Sequence, residues 1–202
     1  MKLYYSPGVC SLAPHIVLRE TNTPFDLVKV DLNAKKTEDG RDFWQISPAG
    51  YVPALELDDG TVLTEGPAIM QYIADRADAT HLAPRNGSIE RYRLQSWLNF
   101  VTSELHKGFG VLFNSKMPEE GKAVAREVLL ARIGVVDKHL GSNAYLLGKD
   151  YTLADAYLFN VISWSKPLKL DLSGFRNVSD HQSRVAARPA VKAAMKAEGL
   201  IK

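Results

Sequence analysis

The chain contains one cysteine, Cys10, and its neighbours give it chemical interest. Ser6-Pro7-Gly8-Val9 reads as a turn before it, and Ser11 can cap a helix running through Ile16-Val17-Leu18 to Glu20. Unpaired N–H groups and the positive end of the dipole at a helix start favour a thiolate. A small buried hydrophobe is the plainer role for a lone cysteine, but a strand-to-helix loop is where functional residues gather. Val52-Pro53 is a second mark. It is either an ordinary loop proline or a cis proline that frees the preceding backbone to bind an extended peptide. The third is Thr64-Glu65-Gly66-Pro67, where a strand leads into a helix. That helix start can hold a carboxylate and Glu65 an ammonium, so a molecule carrying both groups, such as a γ-glutamyl moiety, would fit. The fourth is His106, on an uncharged polar helix face with Gln95, Asn99, Thr102 and Ser103. Such a histidine can donate to a thiolate or is an incidental surface residue.

These residues need elements to hold them. Lys2–Tyr5 reads as a strand, Ser11–Glu20 as a helix with Pro14 tolerated in its first turn, and Phe25–Asp31 as an alternating, Val-rich strand. That is a βαβ unit with a parallel pair. After the polar stretch Asn33–Asp42, Ala54–Leu57 and Thr61–Leu63 flank Asp58-Asp59-Gly60, a hairpin suited to a tight primed turn. A helix from about Pro67 to Asp75 follows, with proline at its start. The order βαβ then ββα, with a cysteine at the first helix start, is the thioredoxin-like arrangement. Position 13 is alanine, so no second thiol completes a dithiol cycle and a thiol co-substrate is required.

Beyond residues 81–87 the β signal vanishes. Ser88 can cap a helix of roughly 25 residues, whose core stripe is Leu94, Trp97, Leu98, Val101, Leu105, Phe109 and Leu112. Pro118 starts another helix that Gly141 can end. Thr152-Leu-Ala-Asp155 resembles a capping box opening a helix through Trp164, and Pro189 and Gly199 bracket a last one. The expected organisation is a thioredoxin-like domain over residues 1–80 and an all-α domain over residues 88–202.

The 202 residues bury about 70% of their extended surface when folded, which is ample for a core. Net charge +2 argues against a dedicated nucleic-acid binder, and no apolar run approaches the length of a membrane helix. The start of the chain lacks the h-region of a signal peptide, so a cytoplasmic location, where a thiol stays reduced, is expected. His15, His81, His139 and His181 show no metal-ligand spacing, and no metal is expected. Residues 1–80 carry 7 positive and 12 negative side chains against 18 and 11 in residues 81–202, so the halves have opposite sign and attract if they meet.

The segments Tyr4-Tyr5-Ser6-Pro7-Gly8-Val9-Cys10-Ser11, Pro48-Ala49-Gly50-Tyr51-Val52-Pro53, Leu63–Ile69, Ser103-Glu104-Leu105-His106 and Thr152–Asp155 stand in an order and spacing that resemble the bacterial beta class of glutathione S-transferases. Leu94–Phe100 and Ala197–Lys202 further resemble members associated with biphenyl and other aromatic degradation. The resemblance implies a homodimer whose thioredoxin-like domain binds glutathione as co-substrate and whose helical domain supplies the hydrophobic acceptor site. By matching position, Cys10 approaches the glutathione sulfur and Val52 pairs its backbone with the cysteinyl unit. Glu65 and Gly66 hold the γ-glutamyl end, and Lys35 reaches the glycine carboxylate. Asn99, Ser103, Glu104 and His106 come from the long helix, some of them across the dimer. Pro53, Thr152 and Asp155 are structural. Other classes of the family activate the thiol with an N-terminal Tyr or Ser, which leaves Tyr5, Ser6 and Ser11 open. Ser47 stands where Asn is common and Gly66 where Ser is common, so Gly66 offers an N–H without a hydroxyl.

The activity implied is transfer of glutathione to electrophilic, aromatic or chlorinated substrates, with reductive dehalogenation in the suspected subgroup. Two alternatives stay open: a glutaredoxin-like reductase acting through a Cys10–glutathione mixed disulfide, and a non-catalytic binding or regulatory protein on the same fold.

Overall fold

A computed structural model describes all residues from Met1 to Lys202. The chain divides into two compact units, one formed by Met1–Ala83 with Ala187–Lys202 and the other by Pro84–Ala186.

The first unit is built on a five-stranded sheet of order β3-β2-β1-β4-β5. Strand β1 (Lys2–Tyr5) is central, parallel to β2 (Asp26–Asp31) and antiparallel to β4 (Ala54–Glu56). Helix α1 (Leu12–Glu20) makes the crossover between β1 and β2. The edges are β5 (Val62–Thr64), paired with β4, and β3 (Lys36–Thr37), a two-residue strand within the stretch read only as polar. Side chains alternate across a strand, so Leu3 and Tyr4 of β1 enter opposite layers, and both are fully buried. On one side Tyr4 packs with Val30, Phe43, Val52 and Ala54. The other layer is helical, where α1, α2 (Gly66–Arg76) and α8 (Pro189–Ala197) pack together and bury Ile16, Leu18, Ile69, Ile73 and Val191.

Three local expectations are corrected. The Asp58-Asp59-Gly60 loop is not a tight primed turn. That turn needs positive φ at both central residues, and only Gly60 has it, at 85°. Leu57 N donates to Thr61 O at 2.8 Å and Gly60 N to Leu57 O at 3.0 Å, so the loop is a three-residue one closed by the left-handed glycine. Ser11 stands at the N-cap position of α1 but makes no capping bond. Its Oγ instead accepts from Ser6 N at 3.2 Å and donates to Ser6 O at 3.1 Å, tying off the turn before Cys10.

The third correction concerns the boundary of the second domain, expected to run from residue 88 to 202. The last helix belongs with the first unit, because it packs on α1. Arg188 makes a bidentate pair with Glu20 at 2.6 and 2.9 Å, and each fully buried apolar side chain such as Val191 adds roughly 1.5–3 kcal/mol.

The second unit is all helical. Helix α3 (Ile89–Phe100) begins at Ser88, whose Oγ accepts from Arg91 N at 3.1 Å, and the run continues to Phe113 through α4 (Lys107–Phe113). Between them Val101–His106 winds as a π-helix. Helices α5 (Glu119–Leu140), α6 (Leu153–Ser163) and α7 (Arg176–Ala186) complete the unit. Of the expected core stripe, Leu94, Leu98, Val101, Leu105, Phe109 and Leu112 are buried, and Trp97 is partly so. At the start of α6 the Asp155 carboxylate accepts from both the N–H and the hydroxyl of Thr152 at 2.9 Å. Its other oxygen accepts from Leu146 N at 2.8 Å and lies 3.0 Å from His181 Nε2. This buried cluster ties the loop before α6 to α7, a structural role that suits Thr152 and Asp155.

Candidate active site

Each unit assembles its own group of residues. In the first, the Cys10 thiol donates to the Val52 carbonyl at 3.0 Å. The Val52–Pro53 peptide is cis, and sheet pairing of β4 begins only at Ala54, so Val52 stands outside the strand ladder. The register Ala54↔Thr64 sets Glu65 beside Pro53, and a Cβ built on Gly66 would lie 3.8 Å from the Pro53 ring. The residues singled out as Cys10, Val52, Pro53, Glu65 and Gly66 are thus drawn to one end of the sheet through three segments distant in sequence.

Glu65 sits at the N-cap of α2 with φ 66°, a left-handed backbone that favours glycine. Its side chain is exposed and makes no capping bond, so the carboxylate is presented outward beside the first N–H groups of α2. An anion-holding helix start and a free carboxylate lie side by side there, as an amino-acid end group requires. Lys35 also has positive φ, at 54°. Its ammonium donates to Gly50 O at 2.7 Å and stands 5.5 Å from the ring centroids of both Trp44 and Tyr51, two exposed aromatics. This places the Lys35 charge on the loop that leads into Val52.

A residue the sequence reading passed over, Glu198, reaches back to this end. Its buried carboxylate accepts from Gly8 N at 2.9 Å and lies 2.9 Å from Nδ1 of the fully buried His15. A Cβ on Gly8 would meet Leu200 at 3.3 Å, and φ at Gly8 is 72°. The segment after α8 therefore holds the turn that carries Cys10. The resemblance of Ala197–Lys202 was the one sequence signal that pointed there.

In the second unit His106 ends the π-helical turn. Its Nδ1 lies 2.7 Å from the Tyr157 hydroxyl, and its ring meets Trp164 edge-on at 4.8 Å. Burial, with a smaller effect of the Lys107 charge, pushes its pKa from 6.5 down to about 4. The imidazole is thus neutral near pH 7. Within this turn the Thr102 hydroxyl donates to Leu98 O at 2.8 Å and that of Ser103 to Asn99 O at 3.0 Å. Asn99 and Ser103 are exposed. Glu104 turns to α5, where its carboxylate meets Arg132 Nε at 2.7 Å, so Glu104 and His106 are directed to different helices. No group of three or more His, Cys, Asp or Glu side chains is placed to hold a metal ion, and no helix is long and apolar enough to cross a membrane.

Residues 1–75 match the family described as "Glutathione S-transferase, N-terminal domain", and residues 100–189 match "Glutathione S-transferase, C-terminal domain". The chain is 49% identical over 201 residues to glutathione S-transferase GstA of Escherichia coli O157:H7, covering 99% of this chain and all of that one. Among solved structures it is similar to BphK, a bacterial glutathione transferase solved as a ternary complex, with TM-score 0.97, 54% identity and coverage of 98% and 100%. It is likewise similar to the beta-class glutathione S-transferase of Sphingomonas chungbukensis, with TM-score 0.96, 48% identity and full coverage of both chains. A lone thiol beside a cis proline, two family domains in order and identity near one half along the full length leave one conclusion: this chain belongs to the glutathione S-transferases, in their bacterial beta-class branch.

Proposed function

We propose that the enzyme joins the thiol of glutathione to electrophilic aromatic substrates. The observation that carries this reading is the end of the first unit's sheet, where Cys10, the Val52–cis-Pro53 peptide and Glu65-Gly66 converge. An extended tripeptide pairs there with the Val52 backbone as a missing strand would. Its γ-glutamyl ammonium meets Glu65, its α-carboxylate the Gly66 N–H, and its glycine carboxylate Lys35. Asn99, Ser103, Glu104 and His106 are assigned to the glutathione site by matching position, some across a homodimer. The sulfur is held as thiolate, whose lone pair attacks an electron-poor carbon. The C–S bond forms, the halide leaves with the C–Cl electron pair, and the proximity of the two reactants supplies much of the rate.

On chlorinated aromatics of the subgroup the same site continues to reductive dehalogenation. A second thiol attacks the sulfur of the conjugate, and two thiols are oxidised to a disulfide while the aromatic carbon is reduced and protonated. A second reading is favoured by the lone thiol itself, which suits disulfide exchange through a Cys10–glutathione mixed disulfide. A cytoplasmic setting, with its pool of reduced thiol, fits both.

The test is glutathione-dependent turnover of a chlorodinitrobenzene and of chlorinated benzoates, with glutathione binding measured by calorimetry. Chloride release that depends on glutathione supports the proposal. Absence of glutathione binding at millimolar concentration overturns it.

A further inference from the structure

We propose that Trp44 and Tyr51 are positioning residues that act through Lys35: they hold its ammonium in place, so that the site selects thiol peptides ending in a free carboxylate. This rests on the reading that Lys35 receives the glycine carboxylate of glutathione. Three observations carry it. First, the ammonium has a seat. Lys35 Nζ donates to Gly50 O at 2.7 Å and stands 5.5 Å from the ring centroids of both Trp44 and Tyr51. The negative faces of aromatic rings attract a cation at that range. Second, the seat is built from the backbone up. Phe43 N donates to Lys35 O at 2.8 Å and the Phe43 side chain is fully buried, which anchors the short helical turn Phe43–Gln45 and leaves Trp44 facing outward. The Asp42 carboxylate caps that turn by accepting from Trp44 N at 3.0 Å. The indole lies against Gly50, where φ is 66° and an added Cβ would fall 2.6 Å from the ring. Buried Ser47 fixes the rest of the loop: its carbonyl accepts from Gly50 N at 2.7 Å and its Oγ donates to Tyr51 O at 3.1 Å. Third, the charge is unspent. The ammonium contacts one carbonyl and two rings, all uncharged, so its other N–H donors stay available to an anion. Trp44 is 48% and Tyr51 70% exposed, which leaves the seat open.

The consequence is for selectivity. A free lysine loses rotamer freedom when it grips a ligand, whereas here the ordering is done when the first unit folds. Ring faces suit this task, because they hold the cation without neutralising it as a carboxylate would. Trp44 and Tyr51 therefore reach the ligand only through the charge they present, and a ligand whose terminal carboxylate is capped gains little from them. The contact is the same before and during the reaction, so it acts on binding and not on the chemical step.

The experiment compares glutathione with its glycine ethyl ester on the full enzyme, with Kd read by calorimetry and kcat read with a chlorodinitrobenzene. The unmodified enzyme should bind the free acid about tenfold more tightly, the scale of a charge-assisted hydrogen bond, and Lys35→Met should erase that preference. Trp44→Leu should raise the Kd of glutathione about fivefold, with kcat and the Kd of the ester little changed. Trp44→Phe keeps a ring face and should recover most of the loss, and Tyr51→Leu should act in the same direction by about twofold. In the double variant, Trp44→Leu should add nothing to Lys35→Met. If Trp44→Leu weakens both ligands equally, or its effect adds in full to that of Lys35→Met, the proposal is overturned while Lys35 keeps its role. If the unmodified enzyme binds acid and ester alike, Lys35 is not the carboxylate's partner, and that reading fails together with the proposal.

Discussion

The two units hold their candidate groups by different means. In the first, the decisive devices are in the backbone: a cis peptide at Val52–Pro53, left-handed residues at Gly8, Lys35 and Glu65, and a helix start at Gly66. In the second, a side-chain network does the positioning, and His106 is set by a tyrosine 51 residues away. Backbone devices are written locally, since proline, glycine and turn residues carry their geometry with them. A hydrogen bond between distant helices is written nowhere in either segment. The contrast implies that the first site loses function while keeping its shape, whereas the second is sensitive to the charge on one ring.

The largest effect should fall on the thiol. Cys10→Ala is expected to abolish glutathione-dependent disulfide reduction below detection while conjugation of a chlorodinitrobenzene survives within about tenfold. Equal losses in both assays would remove the distinction between the two proposed chemistries. Next comes Glu65, where a side chain and a strained backbone coincide. Glu65→Ala and Glu65→Gly should both weaken glutathione binding about 30-fold, the scale of a charge-assisted hydrogen bond. Only the glycine variant should gain stability, by about 1 kcal/mol, because it relieves φ 66°. Denaturant titration of the pair separates backbone from carboxylate, and identical midpoints would show that no strain is held there.

The second unit offers a pH test with a definite sign. As pH falls through 6.5 the unfolded chain protonates its imidazole, while folded His106 resists until about 4. Stability from this group is therefore complete above pH 6.5 and lost as pH falls towards 4, by about 2 kcal/mol between pH 7 and pH 5. Urea unfolding at the two pH values measures it, and His106→Asn should flatten the profile. A wild-type profile already flat would mean the ring is not held neutral by burial.

The smallest effect concerns charge. If the oppositely charged halves of the sequence face each other across a homodimer, raising salt from 0.05 to about 0.5 M should weaken dimerisation a few-fold by screening. Sedimentation that shows equal affinity at both salts would sever the charge split from assembly.

Much of the first site was legible because it is local. Cys10 after a Pro-Gly turn, the Val52-Pro53 pair and the Thr64–Ile69 junction each announce a turn or a helix start in a handful of residues. The hairpin turn was misread because Asp59-Gly60 serves a primed pair of left-handed residues and a single left-handed glycine equally well. Glu198 escaped because its partners, Gly8 and His15, lie at the other end of the chain. In the long helix, a strict 3.6-residue period found the stripe but had no place for an extra residue per turn. The hydroxyl pair Thr102-Ser103 was visible only as polarity.

The return of Ala187–Lys202 to the first unit has a consequence for synthesis. A ribosome makes the sheet of that unit first and its last helix last, with the whole of the other unit between them. Until residue 198 clears the exit tunnel, His15 and the Gly8 amide await the carboxylate that completes them. The turn bearing Cys10 would then be finished only when that last segment folds back. A nascent chain arrested before Arg188 should show a thiol more open to alkylation than the released protein.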